Sequence, residues 1–398
     1  MAFGFRSERA RDEEARRAVD ARVADAVPPG MRIAGAWAWR LLAVAGVIAL
    51  LIFLIVQLRY IVVPLLVALL LSALLVPFSN WLQRHRWPKW AAVAVSELGI
   101  LGIIGGLIWL TVATVMGGYP ALVEQSLLRW EDLKQWLLAS PLHLSEADIQ
   151  HWADQVIEGI RADTSSLWTG ALSVGSGLGH FLAGFLLVLF ATLFILIDGR
   201  GIWNWVVRLF PRRARAAIVG GGEAGWITLS SFVRVQVLVA LIDAVGIGLG
   251  AFILGLFYGD GFPLVVPIAI LVFLGSFIPV VGAVLSGALA VFIALVFLGP
   301  WQAFVMLLIV IGVQQLEGHV LQPFLVGNVV KVHPLAVVIV VAAGGFLAGI
   351  PGALFAVPVT ATLNAIIGYI ARGEWRTHPH PRVADVIPPT RGRTLRDR

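Results

Sequence analysis

Residues 262–298 read FPLVVPIAILVFLGSFIPVVGAVLSGALAVFIALVFL, and the fold turns on how that stretch is understood. It is apolar enough and long enough to enter a bilayer, which takes roughly 20 apolar residues of helix to cross. Yet Phe277-Ile-Pro-Val-Val-Gly282 interrupts it in the middle. Pro279 lacks an amide donor, and Gly282 loosens the helix. Lipid offers no replacement hydrogen bond, so backbone broken at depth must be buried in protein or line a water-filled cavity. A second stretch, 334–370, repeats the pattern with Gly344-Gly-Phe-Leu-Ala-Gly-Ile-Pro-Gly352 and then Pro358. Transporters place such interrupted segments in corresponding positions of two halves to form a midplane site. Proline-kinked helices that merely pack are the plainer alternative.

Working outward, further apolar blocks lie near 40–58, 61–78, 90–116, 171–197 and 236–257, and a helix-length block, 301–316, separates the two broken stretches. The whole chain is 59% hydrophobic and only 13% charged, with mean hydropathy +0.90. Soluble domains carry about twice that share of charge, which excludes a soluble enzyme or a disordered regulator over most of the length. The net charge of +6 would suit a nucleic-acid binder, but the arginines sit in the tails and in short polar gaps between apolar blocks. There are no cysteines, so disulfides and thiolate metal sites are excluded. A charged tail of about 40 residues precedes the first block, and no small-residue cleavage site follows, so a signal peptide is not expected. Tyr60, Trp81, Trp87, Trp90, Trp168, Trp203, Trp205 and Trp301 fall at block edges, as interfacial anchors do.

Arginine bias gives an orientation. Residues 1–40 hold eight arginines, the gap 79–89 holds Arg84, Arg86 and Lys89, and the gap 198–235 holds six more arginines. Residues 371–398 hold seven, whereas 117–168 holds eight acidic residues against three basic ones. Both termini are therefore expected on the cytoplasmic side of a plasma membrane, with 117–168 outside. The organisation expected is a cytoplasmic tail over 1–39, a transmembrane domain over 40–370, and a disordered Arg/Pro-rich cytoplasmic tail over 371–398. Within 117–168, Leu122 to Leu137 and Ile149 to Ile160 have the spacing of two external amphipathic helices. After five crossings the first broken stretch enters from outside and the second from inside. The fold class is thus all-α and polytopic, with about eight membrane elements, two of them Gly/Pro-broken hairpins of opposite polarity. Parity does not choose between re-entrant and fully spanning hairpins.

Ionisable groups at membrane depth cost roughly 3 kcal/mol or more and are functional candidates by default. Asp243 lies seven residues into the 236–257 block, one heptad after Gln236, so the two share a helix face. Glu317 closes the 301–316 block in Gln314-Gln315-Leu-Glu-Gly-His319. A carboxylate there takes up a proton or holds a cation; the competing role is an ion pair with Arg234 or Lys331 that only fixes packing. Glu97 reads as structural, with its head reaching back toward the surface. Glu317 and His319, two apart, do not share a helix face, so no metal site is expected. No Walker motif occurs and no cofactor is expected, which leaves an ion gradient as the energy source. Ser176 and His180 stand on one helix as neighbours rather than on facing spans, so intramembrane proteolysis, and enzyme activity generally, is not expected.

Gln314-Gln-Leu-Glu317, Leu321, Pro323 and Gly327, followed by His333-Pro334, Gly344-Gly345, Gly349, Gly352 and Pro358, resemble the autoinducer-2 exporter family of PerM-like permeases. Ile278-Pro-Val-Val-Gly282 is similar to that family's Ile-Pro-aromatic-x-Gly element, with Val280 in place of the aromatic. Asp198-Gly199 matches the end of the fourth span. Arg234-Val-Gln236 is similar to its Arg-Gly-Gln, and His319 stands where asparagine is common. The resemblance covers about residues 40–370. It implies an all-helical membrane fold, assembly as a homo-oligomer, and export of small molecules, with a furanosyl signal for some members and cation/proton antiport for others.

The reading favoured is a secondary transporter exporting a small polar solute, coupled to protons or another cation. Glu317 and Asp243 would couple, with Gln314, Gln315 and Gln236 offering neutral hydrogen bonds and Arg234 and His319 nearby. Pro279, Gly282, Pro323, Gly327, Gly345, Gly349, Pro351 and Gly352 would shape the backbone. The partners expected are the lipid bilayer and a small-molecule or ion substrate, not nucleic acid. A cation/proton antiporter, or a passive channel or scaffold, is the alternative.

Overall fold

The structure, a computed structural model, describes residues 28–139, 174–257, 262, 264–278, 281–319 and 334–387. Long apolar runs with few breakers fold as long helices: α1 (Pro29–Gln57), α2 (Arg59–Arg84), α3 (Lys89–Ala139), α4 (Val174–Arg208) and α5 (Arg215–Phe257). The chain continues through α6 (Val265–Gly275), α7 (Val281–Phe297), α8 (Pro300–Leu316) and α9 (Pro334–Ala371). A single 3₁₀ turn, Glu374–Arg376, and the short α10 (Val383–Val386) follow. Among the described residues there is no strand, and seven helices are long and apolar enough to cross a membrane. The protein is an all-α polytopic membrane protein. The chain divides into two units, Met1–Arg59 and Tyr60–Arg398. The first contains α1, which opens with proline at its first position and is exposed along nearly its whole length. The second holds the remaining elements.

Two helices run further than the hydrophobic blocks indicate. The segment 198–235, read as a polar gap, is almost entirely helical. Asp198 kinks α4, and its Oδ1 accepts the Gly201 N–H at 3.1 Å, starting a new helical segment as an N-cap does. Only 209–214 remains as a turn before α5. That extension is packing-driven: Gly220, Gly221 and Gly225 present a flat face on which Tyr369, Ile370 and Ile366 of α9 lie directly. Likewise α3 continues to Ala139, through residues read as the first external helix. The second external helix, around 145–160, and Trp168 lie outside the described residues.

Helix α5 is the spine. At about 1.5 Å per residue its 43 residues reach about 65 Å, twice a bilayer core. Its C-terminal half buries Ala244, Ile247, Ala251 and Leu254 against Ile268 and Val272 of α6, Ala290 and Ala294 of α7, and Met306 and Val310 of α8. Its N-terminal half buries Phe232 and Val233 against Ala73 of α2 and Val341, Ala356 and Val357 of α9. A third, smaller cluster joins Leu75, Val93 and Leu196 of α2, α3 and α4.

Both broken stretches fold back on themselves. At the first, a Cβ on Gly275 would sit 3.5 Å from the Ser286 side chain, eleven residues on, so α6 and α7 are the limbs of one hairpin. A Cβ on Gly282 would overlap the Gly275 carbonyl, so the limbs meet backbone to backbone. With eleven residues, α6 reaches only about 16 Å and does not cross a bilayer core by itself. At the second, α9 bends at Ala348 (φ −138°) and Gly349 (φ +65°, ψ −147°), a conformation that glycine adopts without strain. Gly344 then meets Gly352, and Gly345 faces Ala353. Gly345 and Gly349 therefore build this turn rather than a contact between separate helices.

Beyond α9 the described chain continues through residue 387 and packs back on α5. The Tyr369 hydroxyl donates to the His378 carbonyl, His380 Nδ1 lies 3.0 Å from Glu223 of α5, and Pro381 is buried. These contacts strap the segment across the start of α5. Residues 388–398 lie outside the described residues.

Candidate transport site

Contacts along α5 set the level of each neighbouring element. The first hairpin descends antiparallel to it: Phe262 packs at Gly255, Ala269 at Gly248, and Ser276 at Asp243. The second hairpin rises from the other end, with Ile370 at Gly221 and Ile366 and Thr362 at Gly225. Its packing continues along the spine to Phe232 and Val233, which lie among Val341, Ala356 and Val357. The two broken hairpins thus approach the spine from opposite ends. Helix α8 is also antiparallel to α5, with Ile309 on Gly250 and Val313 on Gly246. Asp243 and Ser276 therefore meet at the tip of the first hairpin, and Glu317 follows one turn beyond the Val313–Gly246 contact.

Gln236 and Asp243, two helical turns apart, hold opposite sides of Ser276. The Gln236 side-chain amide donates to the Ser276 carbonyl at 2.6 Å, satisfying an acceptor at the end of α6. The Ser276 hydroxyl lies 3.1 Å from Asp243 Oδ2 and 2.8 Å from the Val272 carbonyl. It has one proton and two acceptors. Asp243 is 1% exposed, and its Oδ1 has no hydrogen-bond partner among the described residues. Burying such an oxygen unsatisfied costs about 1–3 kcal/mol, more when it is charged.

Two arrangements satisfy Oδ2 equally. With Asp243 ionised, Ser276 donates to it. With Asp243 protonated, the acid donates to the Ser276 oxygen while the hydroxyl turns to Val272. Once a proton is delivered to or taken from Oδ2, the pair readjusts by rotation of one hydroxyl.

The other expected site residues are placed less uniformly. Arg234 is exposed on α5, and no ion pair joins it to Asp243. Gln314 is half-buried, whereas Gln315 and His319 are exposed, with His319 Nδ1 3.3 Å from the Gln315 carbonyl. Pro351 and Gly352 are partly buried in the second hairpin, and Gly282 is buried in the first. Pro279, Pro323, Gly327 and Lys331 lie outside the described residues. Glu97 is 8% exposed, and its Oε1 is buried without a hydrogen-bond partner among the described residues. Sequence reasoning missed Ser276 altogether.

Seven long apolar helices among the described residues, with two broken hairpins packed on one spine helix and a buried carboxylate at the tip of the first, make a multi-span membrane protein. Comparison with known proteins makes this specific. A family profile described as AI-2E family transporter matches residues 41–372. The chain belongs to the AI-2E transporter family. It is 39% identical to a candidate transport protein of Mycobacterium tuberculosis, MT0215, over 90% of this chain and 95% of that one. It is 27% identical to YrrI of Bacillus subtilis, over 79% and 88% of the two chains, and 22% identical to YhhT of Escherichia coli K12, over 76% and 82%. Both carry the same transport designation.

Proposed function

We propose that the protein is a secondary transporter that exports a small polar solute at the expense of a proton or cation gradient. The observation that carries this reading is Asp243, buried in an apolar bundle with one oxygen lacking a hydrogen-bond partner among the described residues and the other on the tip of a broken hairpin. A helix bundle that served only as a scaffold would be more stable with an apolar residue there. Hairpins entering from opposite ends of one spine support alternating access, each hairpin sealing the site from its own side. Asp243 and Glu317 are the coupling carboxylates, Ser276 relays the state of Asp243 to the first hairpin, and Gln236 and Gln314 contribute neutral polar groups. The termini face the cytoplasm of a plasma-membrane protein, in keeping with the arginine bias, and the family resemblance supports a homo-oligomer.

Exchange of a monovalent cation for protons is the second reading, favoured by a centre built from carboxylates and a hydroxyl. Proteoliposomes loaded with a labelled furanosyl signal molecule or with radioactive sodium separate the two under an imposed pH gradient. Glu317→Gln is expected to insert and assemble as the wild type does while losing the pH dependence of flux. Unchanged flux and pH profile would remove Glu317 from the mechanism.

A further inference from the structure

The turn between α4 and α5 has a build that the transport reading does not use. From Gly199 to Gly222 the chain carries five arginines and no acidic residue. One of them, Arg215, is spent on the turn itself: its Nε donates to the Phe210 carbonyl at 3.0 Å and its Nη2 to the Arg208 carbonyl at 2.9 Å. Those bonds hold 208–215 in one shape. The shape presents Arg208, Arg212 and Arg213 outward, all exposed and, among the described residues, without a carboxylate partner. Beside them Trp205, Leu209 and Phe210 are also exposed. No carboxylate stands in the first turn of α5 to neutralise them.

Exposed guanidinium groups and exposed large apolar side chains on one rigid turn fit one kind of surface, the headgroup zone of a bilayer. The apolar side chains enter the acyl boundary, and the guanidinium groups remain at phosphate depth. Guanidinium pairs bidentately with phosphate. A neutral, zwitterionic headgroup brings its own ammonium group, which competes for that phosphate. An anionic headgroup leaves the phosphate free. We propose that the α4–α5 turn binds the phosphate of an anionic phospholipid through Arg208, Arg212 and Arg213, and so anchors the spine helix to the adjoining leaflet.

The test uses the full-length protein, purified and delipidated in detergent, with lipid binding read by native mass spectrometry and by the thermal unfolding midpoint. Phosphatidylglycerol is expected to bind saturably and raise the midpoint, whereas phosphatidylcholine and inorganic phosphate do neither. Each basic residue near an anionic surface contributes about fivefold, so Arg212→Gln with Arg213→Gln is expected to weaken phosphatidylglycerol binding about thirtyfold. Its lipid-free midpoint stays at the wild-type value. The charge-conserving pair Arg212→Lys with Arg213→Lys keeps most of the binding, and Arg376→Gln, on the C-terminal strap, keeps all of it. Equal phosphatidylglycerol binding by the double glutamine variant and the wild type would overturn the proposal. So would an equal response to phosphatidylcholine or to inorganic phosphate.

Discussion

Asp243 depends on a single hydroxyl, and its chemistry follows from that. Removing the hydroxyl with Ser276→Ala leaves Oδ2 without its donor. The expected cost is about 1–2 kcal/mol, read as a lowered unfolding midpoint of the purified protein, together with a displaced pH profile of transport. A variant that is destabilised but keeps the wild-type profile would show Ser276 to be structural only. Gln236 and Asp243 are legible in the sequence because a heptad places them on one face and because a carboxylate in an apolar block stands out. Ser276 is not legible in that way. A lone hydroxyl in an apolar run ordinarily bonds back to its own helix, as this one also does to Val272. The available signal is that it is the only polar side chain between 262 and 285.

At the scale of elements, the two hairpins stand on glycine contacts that tolerate no side chain. Gly352→Ala and Gly282→Ala each drive a methyl group into a facing backbone carbonyl. Each is expected to cost at least about 1–3 kcal/mol, seen as poor recovery from the membrane and a lowered unfolding midpoint. Gly345→Ala meets only the Ala353 side chain at 3.8 Å and should be close to neutral. Equal stability of all three variants would mean that the limbs are not in contact. The breaks themselves are legible, since proline and glycine in mid-block admit few structures in lipid. Their levels along α5 are not, because register is set by small-residue contacts such as Gly248 on Ala269 and Gly246 on Val313. Those contacts join positions far apart in sequence. The helical start of α5 is hidden for the same reason: its polar, glycine-rich run becomes helix through packing on α9, not through its own propensity.

For the whole molecule, charge bias predicts topology, and the absence of cysteine makes topology measurable. Single cysteines introduced by Ser7→Cys and Ser145→Cys should differ. In intact cells a membrane-impermeant maleimide should label the second and spare the first; the reverse would invert the orientation. The central claim is that Asp243 and Ser276, at the tip of the first hairpin, lie on a passage that water reaches. Its most direct test needs no knowledge of the solute. Ser276→Cys, as the sole cysteine, is exposed to a hydrophilic, impermeant thiol reagent in vesicles of either orientation. Ile247→Cys, from the apolar core where α5 packs on the first hairpin, serves as the reference. The account predicts that the cysteine at 276 reacts in native vesicles while the one at 247 reacts only after denaturation. Protection of both positions in both orientations, with full labelling after denaturation, would contradict it.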